Sequence, residues 1–129
     1  MTNIEKYGKW LEMAEDDLDT ATSKIPSNIM NTIIEFIDLL KEENIIVEKV
    51  ILFGSYAKGT YREDSDIDLA IVSPNFKEED CIENMTLLLC KANILKADIQ
   101  TIPFSVEEYN EPKGIMEEIL NTGIELKVA

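Results

Sequence analysis

The chain contains no histidine, and this absence excludes a large group of active sites. Without an imidazole there is no Ser-His-Asp or Cys-His catalysis, no histidine general base and no His-ligated zinc. Lys and Arg are also scarce, at 12 against 26 Asp and Glu, so the net charge is −14 over 129 residues. Nucleic acid is not the expected partner, because phosphate backbones attract clustered cations. The charge favours a basic partner or metal ions bound by carboxylates.

Cysteine and long apolar runs are scarce as well. Cys81 and Cys90 are nine residues apart in one predicted helix and therefore lie on opposite faces, so they cannot bridge each other there. We expect two buried thiols in a protein of the reducing cytoplasm. No apolar run approaches the roughly 20 residues of a membrane span, and the N-terminus has no apolar signal core. A membrane partner is therefore not expected.

Apolar spacing predicts two helices in the first part of the chain. Over residues 3–22, apolar side chains recur at intervals of three, four and seven, which indicates an amphipathic helix with an acidic outer face. A second helix is predicted from about Ser27, which can act as its N-cap, to about Glu43. We predict residues 1–43 to be an N-terminal helical extension.

After Asn44 the pattern changes to strands that alternate with helices, and residues 44–129 are predicted to form one further domain. Ser105 and Glu108 can form a capping box, and Pro112 can open the last helix. The fold class that this order of elements predicts is α/β (α+β). Predicted strands span residues 47–53, 67–72, 97–102 (closed by Pro103) and 124–128, and predicted helices span residues 78–92 and about 112–121.

One segment carries the chemistry, from Gly54-Ser55 to Asp66 and Asp68. The two aspartates are two residues apart at the start of a predicted strand, so both project from one face. They repel each other unless a cation is bound, and oxygen-only ligands favour Mg²⁺ or Mn²⁺. Upstream, glycine permits close approach of the backbone and serine offers a hydroxyl and an N–H, which suits a phosphate. The pattern indicates a metal-bound triphosphate.

Three other interpretations fit parts of this segment. Gly54 and Gly59 have P-loop spacing, but Thr60-Tyr61 stands where that loop requires Lys-Ser/Thr. The alternating aspartates of an EF-hand are present, but Leu69 occupies its glycine position. The remaining alternative is a solvated acidic turn before a strand.

The whole segment resembles the nucleotidyltransferase superfamily of the DNA polymerase β type, in which Gly-Ser, ten residues and Asp-x-Asp follow one another. More narrowly, Gly54-Ser55-Tyr56-Ala57-Lys58-Gly59 with Ser65-Asp66-Ile67-Asp68-Leu69 is similar to the minimal nucleotidyltransferases, which pair with HEPN proteins as toxin–antitoxin systems. The resemblance covers about residues 44–128 and implies the nucleotidyltransferase fold, a small mixed β-sheet packed with helices. It departs from the family at Lys58, where an arginine is usual, so the planar guanidinium is lost.

The resemblance implies a role for each matching residue. Asp66, Asp68 and Asp98 would be metal ligands and catalytic residues, with Asp98 also the general base, and two Mg²⁺ ions would be the cofactor. Gly54, Ser55 and Lys58 would bind the nucleotide. The reaction would be in-line attack by an acceptor hydroxyl on the α-phosphorus of a nucleoside triphosphate.

The predicted function is therefore transfer of a nucleoside monophosphate, AMP from ATP, to a hydroxyl of a HEPN-type toxin. Two alternatives stay open. The chain would be a non-catalytic antitoxin that binds a basic partner, or a nucleotidyltransferase that modifies a small molecule of the antibiotic type. HEPN nucleases use an Arg and His motif, and a chain without histidine cannot carry it.

Overall fold

A computed structural model describes residues 25–127, so the helix predicted over residues 3–22 lies outside the described part of the chain. A 3₁₀ turn, Glu78–Asp80, precedes the helix that follows the second strand. The strands are β1 (Lys49–Phe53), β2 (Ile67–Val72), β3 (Ile99–Phe104) and β4 (Ile124–Leu126). The helices are α1 (Ser27–Glu42), α2 (Ser55–Lys58), α3 (Cys81–Leu95), α4 (Val106–Asn110) and α5 (Ile115–Thr122).

The four strands form one mixed sheet in the order β3-β2-β1-β4. Strand β1 is antiparallel to both β2 and β4, whereas β2 and β3 are parallel. A parallel pair cannot be joined by a tight hairpin, and α3 supplies the crossover from β2 to β3. The predicted fold class, a small mixed sheet with helices against it, is confirmed.

One face of the sheet carries the larger core, which it shares with α1 and α3. Helix α1 is strongly amphipathic, and Phe36, Ile33 and Leu40 have no exposed surface. Leu52, Leu69 and Ile99 project from the sheet into the same cluster. Helix α1 therefore packs against the sheet, while a domain boundary at residue 43 stays a prediction.

The other face is covered only in part. A smaller cluster joins Ala70, Val72 and Phe104 of the sheet to Met116 and Ile119 of α5. The cover by α5 decreases toward the end of β1 and the starts of β2 and β3. There Phe53 and Asp68 are half-buried and Gln100 is exposed. Polar side chains at this end can reach solvent and ligands.

The strand predictions are close: β1 begins two residues later than predicted, β4 ends two residues earlier, and the displacement of β3 as a whole has a physical reason. Strand β2 has the predicted bounds, but β3 begins and ends two residues later than predicted and includes Pro103. Proline lacks the N–H of a ladder bond, so it is excluded from central strands but tolerated at an edge. Strand β3 has a single neighbour, β2, and it can therefore continue through Pro103.

The helix ends differ more. Pro26, not Ser27, occupies the N-cap of α1, and no side chain caps that helix. The Pro26 carbonyl accepts the first bonds, from the Ile29 and Met30 N–H groups at 3.0 Å. Pro112 opens no helix, because α5 begins after Gly114. The capping box is confirmed: the Glu108 N–H donates to Ser105 Oγ at 3.1 Å, and the Ser105 N–H donates to Glu108 Oε1 at 2.9 Å.

The prediction of buried thiols is wrong, since Cys81 and Cys90 are both exposed. Helix α3 buries only a narrow stripe, with Leu88 and Ala92 fully covered. The two cysteines lie outside that stripe, and so does the neighbouring Leu89, which is 59% exposed. No helix within residues 25–127 has the length and apolar character needed to cross a membrane.

Candidate active site

The end of β1 and the start of β2 form one edge of the site. The two strands are antiparallel and adjacent, with Phe53 opposite Asp68 in the register. The residue that follows Phe53 is Gly54, so the Gly-Ser pair and the Asp-x-Asp pair come together although ten residues separate them in sequence. The two pairs meet because β1 and β2 are antiparallel neighbours, so the end of β1 lies beside the start of β2.

Gly54 is required by two independent constraints. Its φ is +73° with ψ −150°, a combination that side chains with a Cβ disfavour. In addition, a Cβ placed on Gly54 would overlap Oδ2 of Asp68 and would stand 3.0 Å from its Cγ. The Gly54 backbone is therefore held directly against the Asp68 carboxylate.

Helix α2 starts immediately after this contact. The Ala57 and Lys58 N–H groups donate to the Gly54 carbonyl at 3.1 Å, which fixes the direction of the turn. Ser55 is the first helical residue and is half-buried, whereas Lys58 in the last position is exposed. The helix ends at Gly59, whose φ is +77°. The Ser55 hydroxyl forms no hydrogen bond with a described residue.

Asp66, just before β2, and Asp68, within it, differ in burial. Asp68 is half-buried and Asp66 is exposed, and the alternation of the strand puts both on the face of Ala70 and Val72. Burial raises the pKa of the Asp68 carboxyl, and the negative charge of Asp66 raises this pKa further. No described residue forms an ion pair with either carboxylate. A partly desolvated carboxylate pair with no protein cation fits a divalent metal ion, whose charge would remove the repulsion.

Asp98 lies one strand further along the edge. The Ile67 N–H donates to the Asp98 carbonyl at 2.8 Å, and the parallel register continued by one step puts Asp98 opposite Asp66. Its side chain is exposed. Within the described part of the chain, however, no three carboxylate, thiol or imidazole side chains are gathered closely enough to hold one metal ion. The roles of the three aspartates and of Gly54, Ser55 and Lys58 stay predictions.

The loop between α2 and β2 is held by local contacts that the sequence did not identify. The Arg62 N–H donates to Ser65 Oγ at 2.7 Å, and the Ser65 N–H donates to the Arg62 carbonyl at 3.0 Å. Tyr61 stacks on the buried Tyr56 with ring centroids 4.6 Å apart. The turn and the stack fix the path of the chain that delivers Asp66. A cavity of about 320 Å³ borders the stack and the N-terminus of α1.

One further polar residue shares the face of the aspartates. Gln100 is aligned with Asp68 in the β2–β3 register and is exposed. The sequence does indicate that Gln100 shares a strand face with Asp98, because the two residues are two positions apart. The sequence alone does not place Gln100 beside Asp68, because it does not show that β3 pairs with β2 at this register.

A mixed sheet with Gly-Ser at the end of one strand and Asp-x-Asp at the start of the adjoining strand is the arrangement expected from the resemblance to nucleotidyltransferases. The sequence matches the nucleotidyltransferase domain family over residues 33–128. The chain belongs to that family, and the prediction of a nucleotidyltransferase enzyme is confirmed.

Two relatives from Methanocaldococcus jannaschii are described as candidate protein adenylyltransferases. One is 40% identical over 78 residues, which is 60% of this chain and 74% of the relative. The other is 33% identical over 103 residues, which is 71% of this chain and 99% of the relative. A crystal structure of a candidate nucleotidyltransferase from Sulfolobus solfataricus has a TM-score of 0.59 at 19% identity and covers 84% of this chain and 86% of its own. This last likeness shows the fold.

Proposed function

We propose that the chain transfers AMP from ATP to a hydroxyl group of a protein partner. The observation that carries this proposal is the contact of Gly54 with Asp68, which joins a phosphate-binding turn to a carboxylate pair. Support for a protein acceptor comes from the two Methanocaldococcus relatives, whose names describe protein adenylyltransferases. Support for a basic partner comes from the net charge of −14.

Asp66 and Asp68 would hold the divalent cation, Mg²⁺ or Mn²⁺. Asp98 would complete the ligand set after its exposed side chain turns toward them, since the three carboxylates are not gathered in this structure. A bound cation of this kind neutralises charge on the triphosphate and on the pyrophosphate that leaves. The chain's own residues do the rest. The Gly54 backbone lets the phosphates approach, and the N–H and hydroxyl of Ser55 donate to their oxygens. Lys58, exposed one helical turn later, adds a positive charge.

The transfer is a single displacement. The acceptor oxygen forms a bond to the α-phosphorus, the bond from that phosphorus to its bridging oxygen breaks, and pyrophosphate leaves with the electron pair. The hydroxyl proton goes to the carboxylate of Asp98, the residue immediately before β3, the outer strand of the site. The acceptor gains one AMP unit for each pyrophosphate released.

The partner that we propose is a HEPN-type toxin, and the chain would be its antitoxin. The resemblance of residues 54–69 to minimal nucleotidyltransferases supports this assignment. A second candidate function, neutralisation of the toxin by contact alone, is favoured by the strongly acidic composition, which suits a basic surface without any chemistry.

Intact-mass analysis separates the two functions. The full chain is incubated with Mg²⁺, each nucleoside triphosphate in turn, and the purified product of the adjacent gene, where we expect the HEPN-type partner to be encoded. The enzyme adds AMP units to the partner from ATP, and the addition is lost in Asp66→Asn and Asp98→Asn. Neutralisation of the partner with no gain in mass, unchanged by Asp66→Asn, would establish the contact antitoxin and reject the transfer.

A further inference from the structure

Gln100 is a polar residue on a face of strand β3 that is otherwise apolar. The next residues of its face, Ile102 and Phe104, join the cluster beneath α4 and α5, whereas Gln100 is exposed. Its amide forms no hydrogen bond, ion pair or ring contact with any described residue. The side chain therefore has no visible part in holding the fold together, and its donors and acceptor are available to a ligand.

The strand order gives Gln100 a definite position in the site. The sequence of strands across the sheet is β1, β2, β3, so Gly54 at the end of β1 and Gln100 on β3 flank Asp68 from opposite sides. The register shows the same arrangement, because Phe53, Asp68 and Gln100 form one row across three strands. Neighbouring strands are about 4.8 Å apart, so the two flanks are separated by roughly 10 Å.

The two sides of this row differ in the groups that they offer to a substrate. The Gly54 flank carries the close backbone approach and the turn that suit the triphosphate. The attacking group must stand on the side of the α-phosphorus opposite to the leaving pyrophosphate, because the displacement is in-line. If the pyrophosphate lies at β1, the acceptor lies toward β3, next to the proposed base Asp98 and to Gln100.

We propose that Gln100 is a positioning residue for the acceptor: its side-chain amide hydrogen-bonds the polypeptide segment that carries the attacking hydroxyl. This inference rests on the proposed transfer reaction and adds to it the side from which the acceptor enters. An amide can donate and accept at once, so it suits the N–H and C=O groups of an extended peptide segment. Gln100 does not touch the triphosphate in this arrangement.

The test compares three variants in the full chain. Gln100→Ala removes the amide, Gln100→Asn shortens it while keeping the donors and acceptor, and Asn93→Ala removes an exposed amide on α3 as a matched control. Each is measured for kcat/KM toward the purified product of the adjacent gene, for affinity toward Mg²⁺-ATP, and for affinity toward the same partner without nucleotide.

We expect Gln100→Ala to lower kcat/KM for the partner about five- to tenfold, the size of one neutral hydrogen bond, while affinity for Mg²⁺-ATP stays within about twofold. Gln100→Asn should recover part of the loss, and Asn93→Ala should match the parent chain. An equal loss of affinity for Mg²⁺-ATP would put Gln100 on the nucleotide side and overturn the inference. Unchanged kcat/KM and unchanged partner affinity in Gln100→Ala would also overturn it.

The failure of the transfer reaction itself is a separate result. If the parent chain adds no mass to the partner, the proposed function is rejected. The positioning of an attacking hydroxyl is then rejected with it, and partner affinity decides only whether Gln100 contacts the partner: about fivefold weaker binding of Gln100→Ala, with Asn93→Ala unchanged, supports the contact, and equal binding rejects it.

Discussion

Gly54 lies against Asp68 so closely that a single methyl group on Gly54 would overlap the Asp68 carboxylate. The contact joins the two halves of the site, which are separated by a loop and by helix α2. Because the Gly54 backbone and the Asp68 carboxylate are in contact, a change that moves one of them also moves the other. Several expected effects of substitution depend on this one relationship.

Gly54→Ala should destroy the site. The added Cβ must displace Asp68 from its position, and the positive φ adds strain of roughly 1–3 kcal/mol. Gly114→Ala is the matched control, because Gly114 has a similar backbone conformation (φ +61°, ψ −128°) with nothing within 4 Å of its Cβ position. We expect chemical denaturation to show the strain in both variants, and we expect Mg²⁺-ATP binding to be lost only in Gly54→Ala. Equal binding by the two variants would contradict the role of the contact.

Asp68→Asn should make the metal-free protein more stable at neutral pH. Folding raises the pKa of Asp68, so the folded state holds the proton more tightly than the unfolded state. The contribution of this carboxyl to the free energy of unfolding therefore falls as the pH rises from the unfolded pKa through the folded one. Above the folded pKa, the parent chain keeps a charged carboxylate in a half-buried position, which costs stability; the neutral asparagine does not have this cost.

The measurement is Tm in EDTA as a function of pH. Asp68→Asn should exceed the parent chain at pH 7 and converge with it near pH 3, where the parent carboxyl is protonated. Asp64→Asn, which removes an exposed charge in the loop before β2, is the control for the change in net charge. A Tm gain no larger than that of Asp64→Asn would mean that burial of Asp68 has no energetic cost.

Mg²⁺ should stabilise the parent chain in the presence of ATP. Binding to the folded state alone raises Tm, and the gain grows with the concentration of ligand relative to its Kd. The double variant Asp66→Asn and Asp68→Asn should lose the Mg²⁺-dependent gain while keeping its circular dichroism spectrum. A full gain in the double variant would put the metal elsewhere in the chain.

Ser55→Ala should weaken nucleotide binding. A hydroxyl that donates to a triphosphate oxygen makes a charge-assisted bond, and its loss costs roughly 1.5–3 kcal/mol, or about 10- to 150-fold in Kd. Ser27→Ala serves as control, because Ser27 is an exposed first residue of a helix that it does not cap. Titration calorimetry with a non-hydrolysable ATP analogue gives the Kd values. Matching Kd values for parent and Ser55→Ala would remove Ser55 from the site.

Local patterns in the sequence predicted the features that depend on near neighbours. The bounds of β2 follow from an apolar run between a charged turn and Ser73-Pro74, and the capping box follows from the spacing of Ser105 and Glu108. The Gly-Ser and Asp-x-Asp pairs were found for the same reason, since each is a short motif with its own chemistry. Family resemblance then gave the class of enzyme, and the match over residues 33–128 bears it out.

Where burial depends on partners distant in sequence, local pattern failed. The thiols are exposed because α3 packs on the core through a narrow stripe, and β3 continues through Pro103 because it is an edge strand; composition encodes neither placement. The helix start at Pro26 shows a smaller effect, in which backbone geometry replaced the expected serine cap.

The sequence by itself determined which groups are present: a glycine that can adopt positive φ, a serine, and aspartates on one face of a strand. Only the tertiary structure decided what they meet. The antiparallel pairing of β1 with β2 puts Gly54 on Asp68, and the parallel pairing of β2 with β3 puts Gln100 in the same row. Such contacts are products of strand order and register, which are set by packing between distant segments and by the burial of whole sheet faces.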